Sequence, residues 1–420
     1  MAADAGSVGD EALMSLSTLP LSYCSNVHPA QSLDDVLAGL AEFTSPTQRA
    51  CGFPIAAGLW LARPVIDELV QPFENTLPVL TPRVTELAGA LQSHDLTCYT
   101  LNTFPYGNFH SERVKDQVYV PNWTTPERRD YTIASARVLA EILPEGSDGS
   151  LSTVPLGFKK HVEAPDFEER CIAHLLSVAQ RLDELHDETG RCVRLAIEPE
   201  PFCVLETTAE TLEFFPKLFR AAEAAGLEAV ARRHLGVCFD VCHQALEFED
   251  VAASIAALKA KDIRINKLHI TCALRLVDPG DREAREELAA FVEQRYLHQT
   301  LARTKQGVIL RRVDLDRTLC DSPPASFALA TEWRIHFHVP VHRDRIGRLA
   351  TTQAELKQAI ETVAKLDYAP HLEVETYTWG VLPTRGSAPL VEGLSAELKA
   401  VNGWLNDLRV STGERGASAP

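Results

Sequence analysis

The sequence predicts an α/β protein folded as a (β/α)8 TIM barrel, with an insertion after the seventh strand. Two observations carry this. Short β-branched runs alternate with longer helical patterns along nearly the whole chain, the signature of parallel βαβ units. Acidic residues and histidines then recur at the C-terminal ends of the later runs, the side on which such barrels keep their sites.

Eight runs read as barrel strands: residues 21–26, 56–61, 97–104, 151–156, 194–198, 235–240, 267–273 and 371–376. The helices between them have recognisable starts. Thr125 before Pro126 combines an N-cap with a first-turn proline. Thr207 with Glu210, and Thr352 with Glu355, have the spacing of a capping box. Residues 167–189 place Ile172, Leu175, Leu176, Ala179 and Leu182 at helical spacing, as an outer-ring helix requires. The rhythm breaks over the insertion at 276–334. It is expected to hold an acidic helix near 282–294 and a hairpin of 297–303 and 308–313 turning at Lys305-Gln306-Gly307. A strand-like run, 333–341, follows. The 420 residues suit a single barrel domain over 1–410, with the small polar stretch 411–420 as a disordered tail.

Composition narrows the function. A formal net charge of −17 argues against a nucleic-acid partner, because a phosphate backbone is met by clustered Lys and Arg. No stretch has the roughly 18 consecutive apolar residues of a membrane span. Residues 1–20 carry Asp4, Asp10 and Glu11 where a signal peptide has a basic and then an apolar segment. The ten cysteines lie scattered from Cys24 to Cys320 without a CxxC pair and read as reduced thiols, so a cytoplasmic protein is expected.

An ionisable group inside a barrel strand is costly unless it is paired or bound to metal. Four consecutive strands, the fifth to the eighth, nevertheless end in Glu198, Asp240, His269 and Glu375. Three carboxylates and one imidazole suit a divalent Mn, Mg, Co or Zn ion rather than a thiolate-seeking metal. Cys238 and Cys242 flank Asp240 at a spacing unlike that of a zinc knuckle. Period-two geometry points Glu373 and Glu375 to the same side, and Glu375 lies nearer the strand's end, so it is the preferred ligand and Glu373 its support. Glu200 is expected beyond the fifth strand, in the loop.

At these residues the chain resembles the xylose isomerase-like superfamily, in particular its ketose 3-epimerases. The matching features are Glu198-Pro199, Asp240-x-x-His243, His269 with Arg275 six residues later, and Glu375. The resemblance implies a metal held by Glu198, Asp240, His269 and Glu375, with Glu206, His243 and Arg275 binding substrate. Glu198 and Glu375 would then act as acid and base on a carbon whose proton the metal acidifies, through an enediolate. Over nearly its whole length the chain is also similar to the EboE family of metabolite traffic proteins. The phrases concerned are YCSNVHP at 23–29, FPYGNFH at 104–110, EPEP at 198–201, CFDVCHQ at 238–244, HFHVP at 336–340 and EVETYTW at 373–379. This implies a role in making or moving a small polyhydroxylated or phosphorylated metabolite, and the superfamily implies a homo-oligomer. His336 and His338 have no epimerase counterpart, and either or both can reach the metal. The related AP-endonuclease branch implies a second metal, held by His110, His243 and His338. The rival readings are a two- or three-metal phosphoesterase or nuclease, a non-catalytic carrier, and a dehydratase or aldolase.

Overall fold

The structure is a computed structural model that describes residues 15–74, 76–383 and 389–411. Eight parallel strands close a barrel: β1 (Leu21–Cys24), β2 (Ile55–Trp60), β3 (Thr100–Asn102), β4 (Gly149–Thr153), β5 (Val193–Ile197), β6 (Leu235–Asp240), β7 (Ile265–Ile270) and the eighth, His371–Val374. All eight expected runs form. Most end sooner than their apolar pattern does, because their last residues leave the ladder to face the barrel mouth. Burial of nearly every strand residue fits a parallel sheet covered by helices.

Between β7 and the helix Gln353–Val363 the chain builds a second sheet of six strands. These are β8 (Leu274–Leu276), β9 (Thr300–Arg303), β10 (Ile309–Arg312), β11 (Glu332–Ile335), β12 (Arg345–Ile346) and β13 (Leu349–Thr351), which makes the eighth barrel strand β14. Their order is β10-β9-β11-β8-β13-β12, all antiparallel. The expected hairpin is the pair β9–β10, with Gly307 in the left-handed region at its turn. The sheet reaches further than 276–334, since β8 starts before that range and β13 ends after it. The acidic helix is shorter than expected, Arg282–Leu288 followed by a 3-10 turn at Ala289–Phe291. The run from 333 to 341 is a strand only as far as Ile335.

Two helix starts follow the sequence. Thr125 accepts from the Arg128 amide, and Thr207 with Glu210 forms a complete capping box. Thr352 does not. Its hydroxyl accepts from the Ala273 amide at 2.8 Å, and Glu355 turns to Arg334, so tertiary partners have taken both halves of the box. Among the described residues no helix is long and apolar enough to cross a membrane. All ten cysteines are free thiols. The tail expected at 411–420 lies outside the described residues except Ser411, which closes the helix Leu390–Ser411.

The barrel interior contains a fully buried ion pair. Lys267 Nζ, on β7, lies 2.6 Å from Glu373 Oε2 on β14. Burial opposes ionisation of Glu373, but Lys267 outweighs it and holds the carboxyl at about 2. Space for that carboxylate comes from β2, where a Cβ on Gly58 would stand 1.5 Å from Glu373 Oε1. Gly58→Ala therefore displaces one partner of a buried pair. We expect it to lower unfolding free energy by about 2 kcal/mol, read from denaturant melts.

At the opposite end of the barrel, His371 is buried against Tyr99, and its Nδ1 meets Ser150 Oγ at 2.8 Å. Burial, reinforced by the charge of Lys267, lowers its pKa to about 3. The folded state thus binds fewer protons than the unfolded chain once pH falls below the ordinary histidine value of about 6.5. The stabilisation is complete above that pH and is lost progressively as pH falls from 6.5 towards 3. Between pH 6.5 and 5 this amounts to roughly 2 kcal/mol. Denaturant melts of His371→Gln should lose that much less stability than wild type over the same interval.

Candidate metal centre

Glu198 follows β5 directly, and the Pro199 and Pro201 that flank Glu200 end the strand by removing ladder donors. Asp240 ends β6 and caps the helix Val241–Leu246, its Oδ1 accepting from the His243 amide at 3.0 Å and from Thr271 Oγ1 at 2.7 Å. His269 lies on β7 and Glu375 just beyond β14. Strand order brings the four together: one donor atom from each lies within 4.8 Å of the other three, and all four residues are buried.

The imidazole of His269 is the hub. Its Nδ1 faces Glu198 Oε1 at 3.1 Å, Glu375 Oε2 at 3.2 Å and Asp240 Oδ2 at 3.5 Å. Its Nε2 lies 3.2 Å from Glu373 Oε2, so Glu373 fixes the ring from behind, the arrangement that orients metal-binding histidines. Burial disfavours the imidazolium, yet Cys238, Glu375 and Glu198 hold the ring well above the ordinary histidine range. Positive charge is thus demanded at Nδ1. The Asn26 and Asn102 amides occupy Glu375 Oε1 at 2.8 and 2.7 Å, which leaves Oε2 for the centre. Glu198 Oε2 and Asp240 Oδ2 are buried with no hydrogen-bond partner. Two orphaned carboxylate oxygens beside one imidazole fit a divalent cation and fit little else that a protein supplies.

A second group stands beside it. His243 Nε2 and His336 Nε2 are 3.1 Å apart, and His336 Nε2 and His338 Nε2 are 3.2 Å apart. Each ring's Nδ1 donates to an oxygen: Pro199 O at 3.1 Å for His243, Gln299 Oε1 at 2.7 Å for His336, and Glu375 O at 2.9 Å for His338. The Gln299 amide is oriented by its Nε2, which donates to Tyr119 Oη at 3.0 Å. Burial pushes all three imidazoles below their ordinary range. Neutral rings with their protons on Nδ1 set the bare Nε2 lone pair of His336 against those of His243 and His338, a repulsive arrangement that a cation would relieve. Asp240 joins His243 and His338 within ligand distance, as Glu200 joins His243 and His336.

The structure moves several expected site residues. Arg275 lies in the second sheet, where Nη2 bonds Glu332 Oε2 at 2.5 Å, and it does not line the cavity. Glu206 is tied to Lys159 and Arg311, away from the cavity. His110 Nε2 meets Asn26 O at 2.8 Å and belongs to no potential ligand group among the described residues. Glu200 lies beyond β5 in the loop, as expected, and from there lines the cavity and accepts from Tyr119 Oη at 2.7 Å. Glu200, Asn26 and Asn102 were missed as site residues. For Asn26 and Asn102 the signal existed, since both are polar and end a barrel strand or its first turn.

The sequence matches no protein-family model and no curated protein. Solved structures do match. A xylose isomerase-like TIM barrel protein from Mycobacterium smegmatis, in complex with magnesium, aligns at TM-score 0.51 and 13% identity over 95% of this chain and 99% of that one. A D-tagatose 3-epimerase-like protein aligns at TM-score 0.47 and 11% identity over 94% of this chain and 99% of that one. This chain has the xylose isomerase-like barrel fold. Within that fold the C-terminal mouth carries both donor groups described above.

The loops that carry these ligands converge on one carboxylate. Glu397, wholly buried on the last helix, accepts from the Val341 amide at 3.0 Å, Thr376 Oγ1 at 2.7 Å and Trp379 Nε1 at 2.9 Å. Those donors follow His338 and Glu375 in the chain. Glu397→Ala should weaken Mn²⁺ binding about tenfold or more by calorimetry, beyond a loss of about 2 kcal/mol in stability. Unchanged metal affinity in a folded variant would assign Glu397 to stability alone.

Proposed function

We propose that this protein is a divalent-metal-dependent enzyme that isomerises or epimerises a sugar or cyclitol. The observation that carries the reading is the convergence of Glu198, Asp240, His269 and Glu375 on one point. Glu198, Asp240, His269 and Glu375 would hold the cation, which would supply Lewis-acid activation of the C–H next to two substrate oxygens. Glu198, whose Oε2 has no other partner, takes the proton from one face. Glu375, brought in by the strand on the other side of Asp240 and His269, gives its own proton to the opposite face, so the cycle ends with Glu198 protonated and Glu375 ionised. His243 binds substrate oxygen in this reading, and Glu200 replaces Glu206 as the carboxylate that meets a substrate hydroxyl. The magnesium in the Mycobacterium smegmatis structure supports a metal, and the sugar or cyclitol class rests on the ketose 3-epimerase pattern of Glu198, Asp240 and Glu375. The EboE-like phrases support a role in biosynthesis or traffic of a secondary-metabolite precursor, and the ten free cysteines support a reducing, cytoplasmic compartment.

A second reading has an observation of its own. The close Nε2 pairs His243–His336 and His336–His338, with Asp240 within ligand distance of His243 and His338, favour a second ion that these residues would hold, and two ions would suit a phosphoester hydrolase. Elemental analysis of Mn²⁺-loaded protein separates the two. One ion per chain with solvent deuterium entering a ketose supports the isomerase. Two ions with turnover of bis(p-nitrophenyl) phosphate support the hydrolase. Asp240→Ala should fold and lose bound metal. Retention of stoichiometric metal in that variant would remove Asp240 from the ligand set.

A further inference from the structure

The cavity above the metal centre has about 500 Å³ of empty space and two unlike sides. Its floor is the carboxylates and imidazoles. Its wall is aromatic: the rings of Phe109, Tyr296 and Tyr377 pack on one another with centroids 4.8, 5.3 and 5.0 Å apart, and Tyr377 abuts His338 at 4.7 Å. Val118 and Leu297 continue the apolar side. Among the described residues lining the cavity, Lys115 is the one that bears an ammonium or guanidinium group. It is committed elsewhere, to Glu293 O at 3.2 Å, Tyr296 O at 2.7 Å and Asp314 Oδ2 at 2.7 Å, one acceptor for each of its three N–H bonds.

We propose that the substrate is an unphosphorylated amphiphile: a head with two adjacent oxygens for the metal, and an aryl or alkyl body that lies on the Phe109–Tyr296–Tyr377 wall. This rests on the metal-chelation reading above and adds the class of substrate. A bare polyol would turn hydroxyls towards rings that offer few partners, whereas an apolar body removes the wall from water and stacks on it. A phosphate would meet a lysine whose donors are already used.

Three hydroxamates with the same chelating head test this: benzohydroxamate, acetohydroxamate and phosphoglycolohydroxamate, titrated by calorimetry into protein shown by elemental analysis to hold Mn²⁺. Benzohydroxamate should bind about tenfold or more tighter than either other probe. Phe109→Ala should narrow that preference to about threefold, with acetohydroxamate affinity unchanged. Equal affinity for benzohydroxamate and acetohydroxamate, or tightest binding of phosphoglycolohydroxamate, overturns the inference and leaves the metal centre standing. Binding of none of the three by metal-loaded protein overturns the chelation reading and this inference with it.

Discussion

Buried negative charge at the barrel mouth is the constraint that orders this molecule. Glu198, Glu200, Asp240, Glu373 and Glu375 are all buried on or just beyond β5, β6 and β14. Left uncompensated, carboxylates in so dry a place cost several kcal/mol each, which a fold stabilised by a net ~5–15 kcal/mol cannot carry. The compensation is arranged in depth. Lys267 neutralises Glu373 in the barrel interior, Gly58 makes room for that carboxylate, and Glu373 in turn fixes His269. Glu198, Asp240 and Glu375 surround His269 Nδ1, where a proton or, with better geometry for three carboxylates, a metal ion would supply the positive charge.

The second sheet extends the same logic outward. It grows directly from β7 and returns His336 and His338 to the mouth, anchored by the His336 amide on Gln299 O and the Val339 amide on Cys272 O. Ion pairs hold it down. Arg311 on β10 reaches Glu206 and Glu247, and Arg334 on β11 reaches Glu355 and the Ala245 carbonyl. By covering the mouth this sheet excludes water from the imidazole trio. Burial is what lowers the pKa of those rings, and a neutral imidazole is the form that could bind a cation.

Much of this was legible in the sequence because it is local. Alternating patterns located the eight strands, and polar residues at strand ends located the four central donors, since strand order alone brings such residues to one mouth. Partnerships spanning long stretches of chain were not legible. Arg275 matches an epimerase pattern by spacing, but its partner Glu332 lies 57 residues away on a strand whose pairing with β8 no local pattern predicts. Glu206 is held by Arg311, 105 residues distant. Thr352 has the right spacing for a capping box, yet the Ala273 amide, between β7 and β8, claims its hydroxyl. Asn26 and Asn102 obey the rule that found Glu198, and were passed over because an amide carries no charge to draw attention.

Metal binding and substrate shape are coupled through the same segment of chain. His336 and His338 come from the segment that builds the second sheet, just after β11, and Tyr296, Leu297 and the Asp314 that occupies Lys115 lie in its loops beside β9 and β10. The barrel supplies the potential ligand group Glu198, Asp240, His269 and Glu375 from its strand ends. The sheet supplies the imidazole trio and part of the aromatic wall, and it withdraws the one lining lysine from the cavity. A change in the path of residues 274–351 would therefore alter ligand count, polarity and volume together. The barrel fold is shared at 13% identity, and what distinguishes the cavity of this chain is the segment that covers the barrel mouth.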